Sequence, residues 1–136
     1  TQIITCAPET LVEEAARLLR QEKIGCLPVV TESGELAGIV THEDLLDFFL
    51  EITGCLMRDT ARIAVHLPDT IGQLGKLLAA INDAGGYIAT VVSPPHPDQT
   101  GLRVAVVRYR AADPRALNQR LRELGYELLA EPPPSG

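Results

Sequence analysis

Gly38-Ile39-Val40-Thr41-His42-Glu43-Asp44 joins an apolar run that reads as a strand to a helix that opens with a hydroxyl and a carboxylate three residues apart. At a strand-to-helix junction this spacing makes a capping box. Thr41 at the N-cap accepts from the N–H three residues on, while the Asp44 carboxylate reaches back and favours the positive end of the helix dipole. The same pair, held side by side, can also clasp a vicinal diol such as a ribose, with neighbouring backbone N–H groups reading an adenine edge. Both uses stay open at this point.

Upstream of the junction, Ile3-Ile4-Thr5-Cys6 reads as a short strand and Ala7-Pro8-Glu9-Thr10 as a turn into a helix. Thr10-Leu11-Val12-Glu13 has the spacing of another capping box, Leu11, Ala15, Leu18 and Leu19 mark one apolar face, and Gly25 is the expected stop. Cys26-Leu27-Pro28-Val29-Val30 is a continuous apolar run and reads as a buried strand, with Pro28 confined to its start or edge because it donates no hydrogen bond. Glu32-Ser33-Gly34-Glu35 turns the chain back into Leu36-Ala37-Gly38-Ile39-Val40, completing a hairpin. The helix over 43–52 then carries Leu45, Leu46, Phe48, Phe49, Leu50 and Ile52, more apolar surface than one face of a small domain hides, and so calls for a partner.

Downstream, residues 55–60 show little periodicity and read as a linker. Ala61-Arg62-Ile63-Ala64-Val65-His66-Leu67 alternates as a strand with Ile63, Val65 and Leu67 on one side. Pro68-Asp69-Thr70 leads into a helix with Ile71, Leu74, Leu78 and Ile81 on one face, stopped by Gly85-Gly86. Tyr87-Ile88-Ala89-Thr90-Val91-Val92 is the next strand, and the loop over 93–100, with three prolines, is expected in solvent. Residues 102–110 form a strand, Asp113-Pro114 opens a helix lined by Leu117, Leu121 and Leu124 and closed by Gly125, and residues 126–130 form a last strand. The order strand, helix, strand, strand, helix, strand over 61–130 is that of the ferredoxin-like split motif, and 131–136 is a proline-rich tail.

The chain has 136 residues, 46% of them apolar, room for one medium or two small units. Its net charge of −6 argues against long nucleic acid as a partner. Residues 1–54 hold ten acids and three bases and the remainder eight and nine, so two units with different surfaces are expected. No run of eighteen apolar residues and no leader pattern occurs, so neither a membrane span nor a secretory signal is expected. Cys6, Cys26 and Cys55 are odd in number and lack C-x-x-C spacing, which suits a reduced, cytoplasmic compartment. His42, His66 and His96 have no ligand spacing with one another or with a cysteine, so no metal site is expected.

The run Gly25-Cys26-Leu27-Pro28-Val29-Val30 followed by Gly38-Ile39-Val40-Thr41-His42-Glu43-Asp44 makes residues 1–54 resemble one complete CBS motif. That resemblance implies pairing of motifs into a Bateman module, with adenine nucleotides such as AMP or ATP, or another adenine-containing compound, in the cleft. It would put Thr41 and Asp44 on the ribose, Thr5 and Cys6 beside the adenine, and Leu27 and Pro28 packed against it; on the residues themselves, His42 either reaches a phosphate when protonated or is an exposed polar residue of the helix's first turn. The mate would be an upstream segment or the same motif of a second molecule. Residues 61–130, through Pro68-Asp69-Thr70-Ile71-Gly72-Gln73-Leu74 and Gly85-Gly86-Tyr87-Ile88, resemble an ACT domain, which implies a small effector, often an amino acid, at Asp69, Thr70, Ile71 and Gly72. The alternative on the residues themselves is that Asp69 or Thr70 caps the helix and Gly72 permits helix-to-sheet packing. Together the two units are similar to the C-terminal two thirds of acetoin-utilisation AcuB-type CBS-ACT proteins. The fold expected is mixed α+β.

No G-x-S-x-G, P-loop, G-x-G-x-x-G or H-E-x-x-H occurs, and no histidine stands beside a cysteine or serine as base to nucleophile. The expected protein is therefore non-catalytic and needs no cofactor. It is a ligand-sensing regulator that forms a homodimer or higher oligomer and acts on a regulated enzyme or another protein. The alternative is a structural dimerisation module with both ligand sites vacant.

Overall fold

A computed structural model describes residues 3–95 and 100–131. Its packing divides the chain into two units, Thr1–Ile52 and Thr53–Gly136. His96 and the proline-rich tail from residue 132 lie outside the described residues.

In the first unit the apolar face of α1 (Val12–Glu22) lies against the hairpin of β1 (Cys26–Val30) and β2 (Leu36–Thr41), and β2 runs directly into α2 (His42–Ile52). The antiparallel register pairs Cys26 with Thr41 and Pro28 with Ile39. The hairpin turn closes where Gly34 takes a φ of 87° and the Thr31 hydroxyl accepts from the Glu35 N–H at 3.0 Å. Ala15, Leu19 and Leu27 are the buried residues of this core. None belongs to α2, where Leu46, Phe49 and Ile52 stay 62%, 58% and 48% exposed. So small a core leaves the unit short of buried apolar area, and α2 holds the uncovered part.

Three local expectations are corrected here. The strand expected over residues 3–6 is a single parallel bridge, Cys6 beside Val29, with Cys6 N–H donating to Pro28 O (2.9 Å) and Val30 N–H to Cys6 O (2.8 Å). Continuing this ladder in either direction would need an N–H from Pro28, towards Ile4, or from Pro8, towards Val30, and proline has none. Pro28 sits in mid-strand with its donor-less side on the edge of β1 away from β2, the edge placement expected as the alternative to the strand's start. The Thr10 capping box does not form either: Leu11 is the N-cap without a side-chain bond, and the Thr10 hydroxyl instead accepts from Ala7 N–H at 2.9 Å to close the preceding turn. Nor does Gly25 end α1. Lys23 does so in the left-handed region (φ 54°), its N–H reaching Leu19 O.

The second unit is a four-stranded antiparallel sheet in the order β4-β5-β3-β6 with two helices. Its elements are β3 (Ala61–Pro68), α3 (Gln73–Asp83), β4 (Tyr87–Val92), β5 (Leu102–Arg110), α4 (Pro114–Glu123) and β6 (Glu127–Leu128). This is the split β-α-β order read from the element sequence. Alternate residues Ile63, Val65 and Leu67 of β3 and Ala105, Val107 and Tyr109 of β5 meet Leu77 and Ile81 of α3 and Leu117 and Leu121 of α4. Gly86 is where the chain passes closest to both helices: a Cβ there would lie 2.7 Å from Ile81 Cγ2 and 2.9 Å from Leu117 Cδ1. Asp113 caps α4, accepting from Ala116 N–H at 3.1 Å, ahead of Pro114.

Ile71 does not share the helix face expected of it. Gly72, with φ 87°, is the N-cap, so α3 starts at Gln73, two residues after Ile71, and Ile71 is fully exposed; Leu77 takes the central buried place. Leu124 is the C-cap of α4, not part of its buried face, and is 48% exposed. The last strand is Glu127–Leu128, with Leu129 N–H adding one bond to Ala64 O at 2.8 Å. Thr53 and Gly54, read from sequence as the close of the first motif, pack on the sheet of the second unit: Thr53 O accepts from Arg108 Nε (2.9 Å) and Thr90 Oγ1 (3.3 Å). No helix among the described residues is long and apolar enough to cross a membrane.

Lys23→Gly removes the Cβ penalty of the left-handed cap, and a urea titration should show a gain of about 0.5–1 kcal/mol. Tyr109 is buried, and its hydroxyl is shared between Pro114 O (3.1 Å) and Asn118 Oδ1. Burial raises its pKa, so the unfolded chain ionises first as pH climbs past about 10 and stability falls there. Tyr109→Phe should cost about 1–2 kcal/mol at pH 8 and lose less stability between pH 8 and 10.5 than the wild type.

Candidate functional site

The β2–α2 junction has no loop: Thr41 ends the strand and His42 begins the helix. Thr41 is thereby the N-cap and Asp44 the third helical residue, and the box closes in both directions. Asp44 Oδ2 accepts from Thr41 N–H (2.8 Å) and from the Thr41 hydroxyl (3.1 Å), and Thr41 Oγ1 accepts from Asp44 N–H (3.2 Å). Asp44 Oδ1 takes part in none of these bonds. The cap therefore fixes the carboxylate while leaving one of its oxygens for another donor.

Asp44 stands on the rim of a cleft of about 470 Å³ between the segment over residues 6–10, the β1–β2 hairpin and the first turns of α1 and α2. Its other walls are mainly apolar: Ala7 and Pro8 on one side, Val29, Ile39 and Val40 from the hairpin, Leu45 and Phe48 from α2, with the Cys6 thiol among them. An apolar slot with one oriented carboxylate at its mouth suits a flat heterocycle joined to a hydroxylated group.

Of the residues expected at this site, Cys6 and Asp44 line the cleft together and Thr41 holds Asp44 in place. Thr5 lines an adjoining groove beside Glu9, Glu14 and Glu32, which shares Cys6, Ala7 and Thr10 with the cleft. Leu27 is fully buried in the core, so its part is packing, and Pro28 is half-buried outside the cleft lining. His42 is exposed in the first turn of α2 and does not line the cleft. Ile39, Val29, Leu45 and Phe48 were not singled out from the sequence. Helical spacing from Asp44 finds Phe48 four residues on, and strand spacing from Leu27 finds Val29 two residues on.

Among the described residues no Lys or Arg lines this cleft. Arg17 donates through Nε to Glu14 (2.9 Å) and also to Gln21, and its guanidinium holds the Glu14 carboxyl below its ordinary value.

In the second unit, Asp69, Thr70, Ile71 and Arg103 border an open depression at the turn between β3 and α3. Neither Asp69 nor Thr70 caps α3, since the Gly72 N-cap has no side-chain bond. Asp69 faces Arg103 instead, Oδ1 to guanidinium at 3.7 Å, and Arg103 Nε is fixed by Ser93 Oγ at 2.9 Å. Nothing lies within 4 Å of a Cβ built on Gly72, so this glycine serves its positive φ, not close packing. Arg103 was missed because it lies 34 residues downstream of Asp69 and meets the turn only through the β3–β5 register, which pairs it with Leu67.

Residues 1–51 match the CBS domain family, and a CBS domain is found there. Relatives agree. The chain is 50% identical over 70 residues to an inosine-5'-monophosphate dehydrogenase of Korarchaeum cryptofilum, covering 52% of this chain and 13% of the dehydrogenase. It is 42% identical over 45 residues to the CBS domain-containing protein YhcV of Bacillus subtilis, covering 33% of this chain and 31% of that protein. A CBS domain-containing protein of Dictyostelium discoideum is 46% identical over 41 residues, covering 30% and 28%. The chain thus spans less than a third of the length of each of these relatives. The CBS domain is a regulatory, ligand-binding module, and the dehydrogenase match is confined to a short part of that enzyme.

Thr41→Val removes both hydroxyl bonds of the box and should lower the unfolding free energy by about 1 kcal/mol, whereas Glu43→Gln, one residue from Asp44 in the same turn, should stay within about 0.5 kcal/mol. Paired thermal or urea unfolding curves check the difference.

Proposed function

We propose that this chain is a non-catalytic regulatory module that senses an adenine nucleotide or nucleoside in its CBS cleft. The observation that carries the reading is the reciprocal Thr41–Asp44 box, which leaves Asp44 Oδ1 at the rim of an apolar slot. The base enters between the hairpin and α2, against Ile39, Leu45 and Phe48, and the ribose diol donates to Asp44. A second CBS motif, from an upstream segment or another molecule, closes the cleft over the apolar face of α2. Ligand bound across that pairing stabilises the dimer by linkage and shifts the population of the attached units, through which a regulated enzyme or other protein is controlled.

The second unit is read as an ACT domain that takes an amino acid or other small effector at Asp69, Thr70, Ile71 and Gly72. Arg103 adds a cation for an effector carboxylate. Cys6, Cys26 and Cys55, all with free thiols, suit a cytoplasmic protein. A second reading, favoured by the exposed Leu46, Phe49 and Ile52, is a structural dimerisation module with both ligand sites vacant.

A thermal-shift panel of AMP, ADP, ATP, NAD, S-adenosylmethionine and the twenty amino acids, run on wild type and Asp44→Ala, separates the two. Stabilisation by an adenine compound, worth about 2.7 kcal/mol at a hundred times Kd and absent in the variant, is the expected result. A panel without any adenine-dependent shift moves the assignment to dimerisation.

A further inference from the structure

We propose that the CBS cleft selects adenosine-type ligands that carry no phosphate, with a neutral or positively charged group on the ribose 5' carbon. The inference rests on the adenine reading of the cleft and concerns the sign of charge it accepts. Asp44 is the one charged side chain in the cleft lining. Residues 1–54 contain ten acids but just three bases, Arg17, Arg20 and Lys23. Arg17 is committed to Glu14, and Lys23 closes the C-terminal end of α1, whereas Val12 at its N-terminal end lines the cleft. A helix of 11 residues puts about 16 Å between those two ends, well beyond a Debye length at physiological salt.

A phosphate could instead be held by backbone N–H groups at a helix start. At α2 that capacity is reduced, because the box takes up the N–H groups of Thr41 and Asp44, and Glu43 and Asp44 in the first turn set negative charge where a phosphate would meet the remaining N–H groups. The first turn of α1 carries Glu13 and Glu14. Phosphate entering this cleft would exchange water for the Asp44 carboxylate, while a sulfonium or ammonium group would gain from it. A mate that is a second copy of the motif brings the same excess of acids over bases.

The test is isothermal titration of the full chain with adenosine, AMP, ATP and S-adenosylmethionine near 150 mM salt. The expected order is S-adenosylmethionine at least as tight as adenosine, AMP about tenfold weaker and ATP weaker still. Ile39→Lys, which puts a cation on the exposed cleft wall, should bring AMP level with adenosine or ahead of it. AMP or ATP binding wild type more tightly than adenosine overturns the charge inference and leaves the adenine cleft standing. No binding of any of the four at millimolar concentration overturns the cleft reading and this inference with it.

Discussion

Four atoms of Thr41 and Asp44 decide how the first unit is put together. Without a loop between β2 and α2, the helix must start where the strand stops, and unpaired N–H groups at that point would have no partner within the junction. The reciprocal box satisfies two of them with one hydroxyl and one carboxylate oxygen. It also sets the rotation of α2, which puts Leu45 and Phe48 on the cleft and turns Leu46 and Phe49 outward. Cap, cleft wall and uncovered helix face are thus consequences of one local interaction. A ligand clasp at Asp44 would add to the cap without displacing it, because the two uses need different oxygens.

The second unit reaches its stability differently. Its core is built by two strands of strict alternation and two helices with buried residues four apart, and it has the larger buried set. Its candidate site depends on long-range register: Asp69 and Arg103 come together because β3 pairs with β5 along the whole of β3. One unit therefore presents a site made by neighbours in sequence and the other a site made by strand pairing.

That contrast governs what could be read from residues alone. The Thr41–Asp44 box, the Asp113-Pro114 start of α4 and the Ile63–Val65–Leu67 face were legible because each is written in spacing of a few residues. The strand over residues 3–6 was misread because its extent depends on which β1 residues oppose it, and the opposition falls on two prolines. Ile71 was misplaced because the left-handed dihedral at Gly72 moves the helix start two residues on, to Gln73, and leaves Ile71 outside the helix. Lys23 took the left-handed cap that Gly25 seemed suited for because the chain had to turn two residues earlier to bring Ile24 onto Leu19. Thr10 fits a cap by spacing, yet its hydroxyl was claimed by the turn before it. At the cleft, Cys6 and Asp44 were named from the sequence and the walls were not, since Ile39 and Val29 have no chemical mark that separates them from any other strand residue.

The single bridge between Cys6 and Val29 also bears on self-association. The side of β1 away from β2 is an open edge, the kind of surface on which a stray extended peptide, or the same segment of a neighbouring molecule, can grow a sheet. Pro28 withholds a donor from any strand laid there, and Pro8 denies one to a strand contributed by the same region of another copy. Pairing of the residue 4–8 segment along that edge is thereby held to the single Cys6–Val29 bridge.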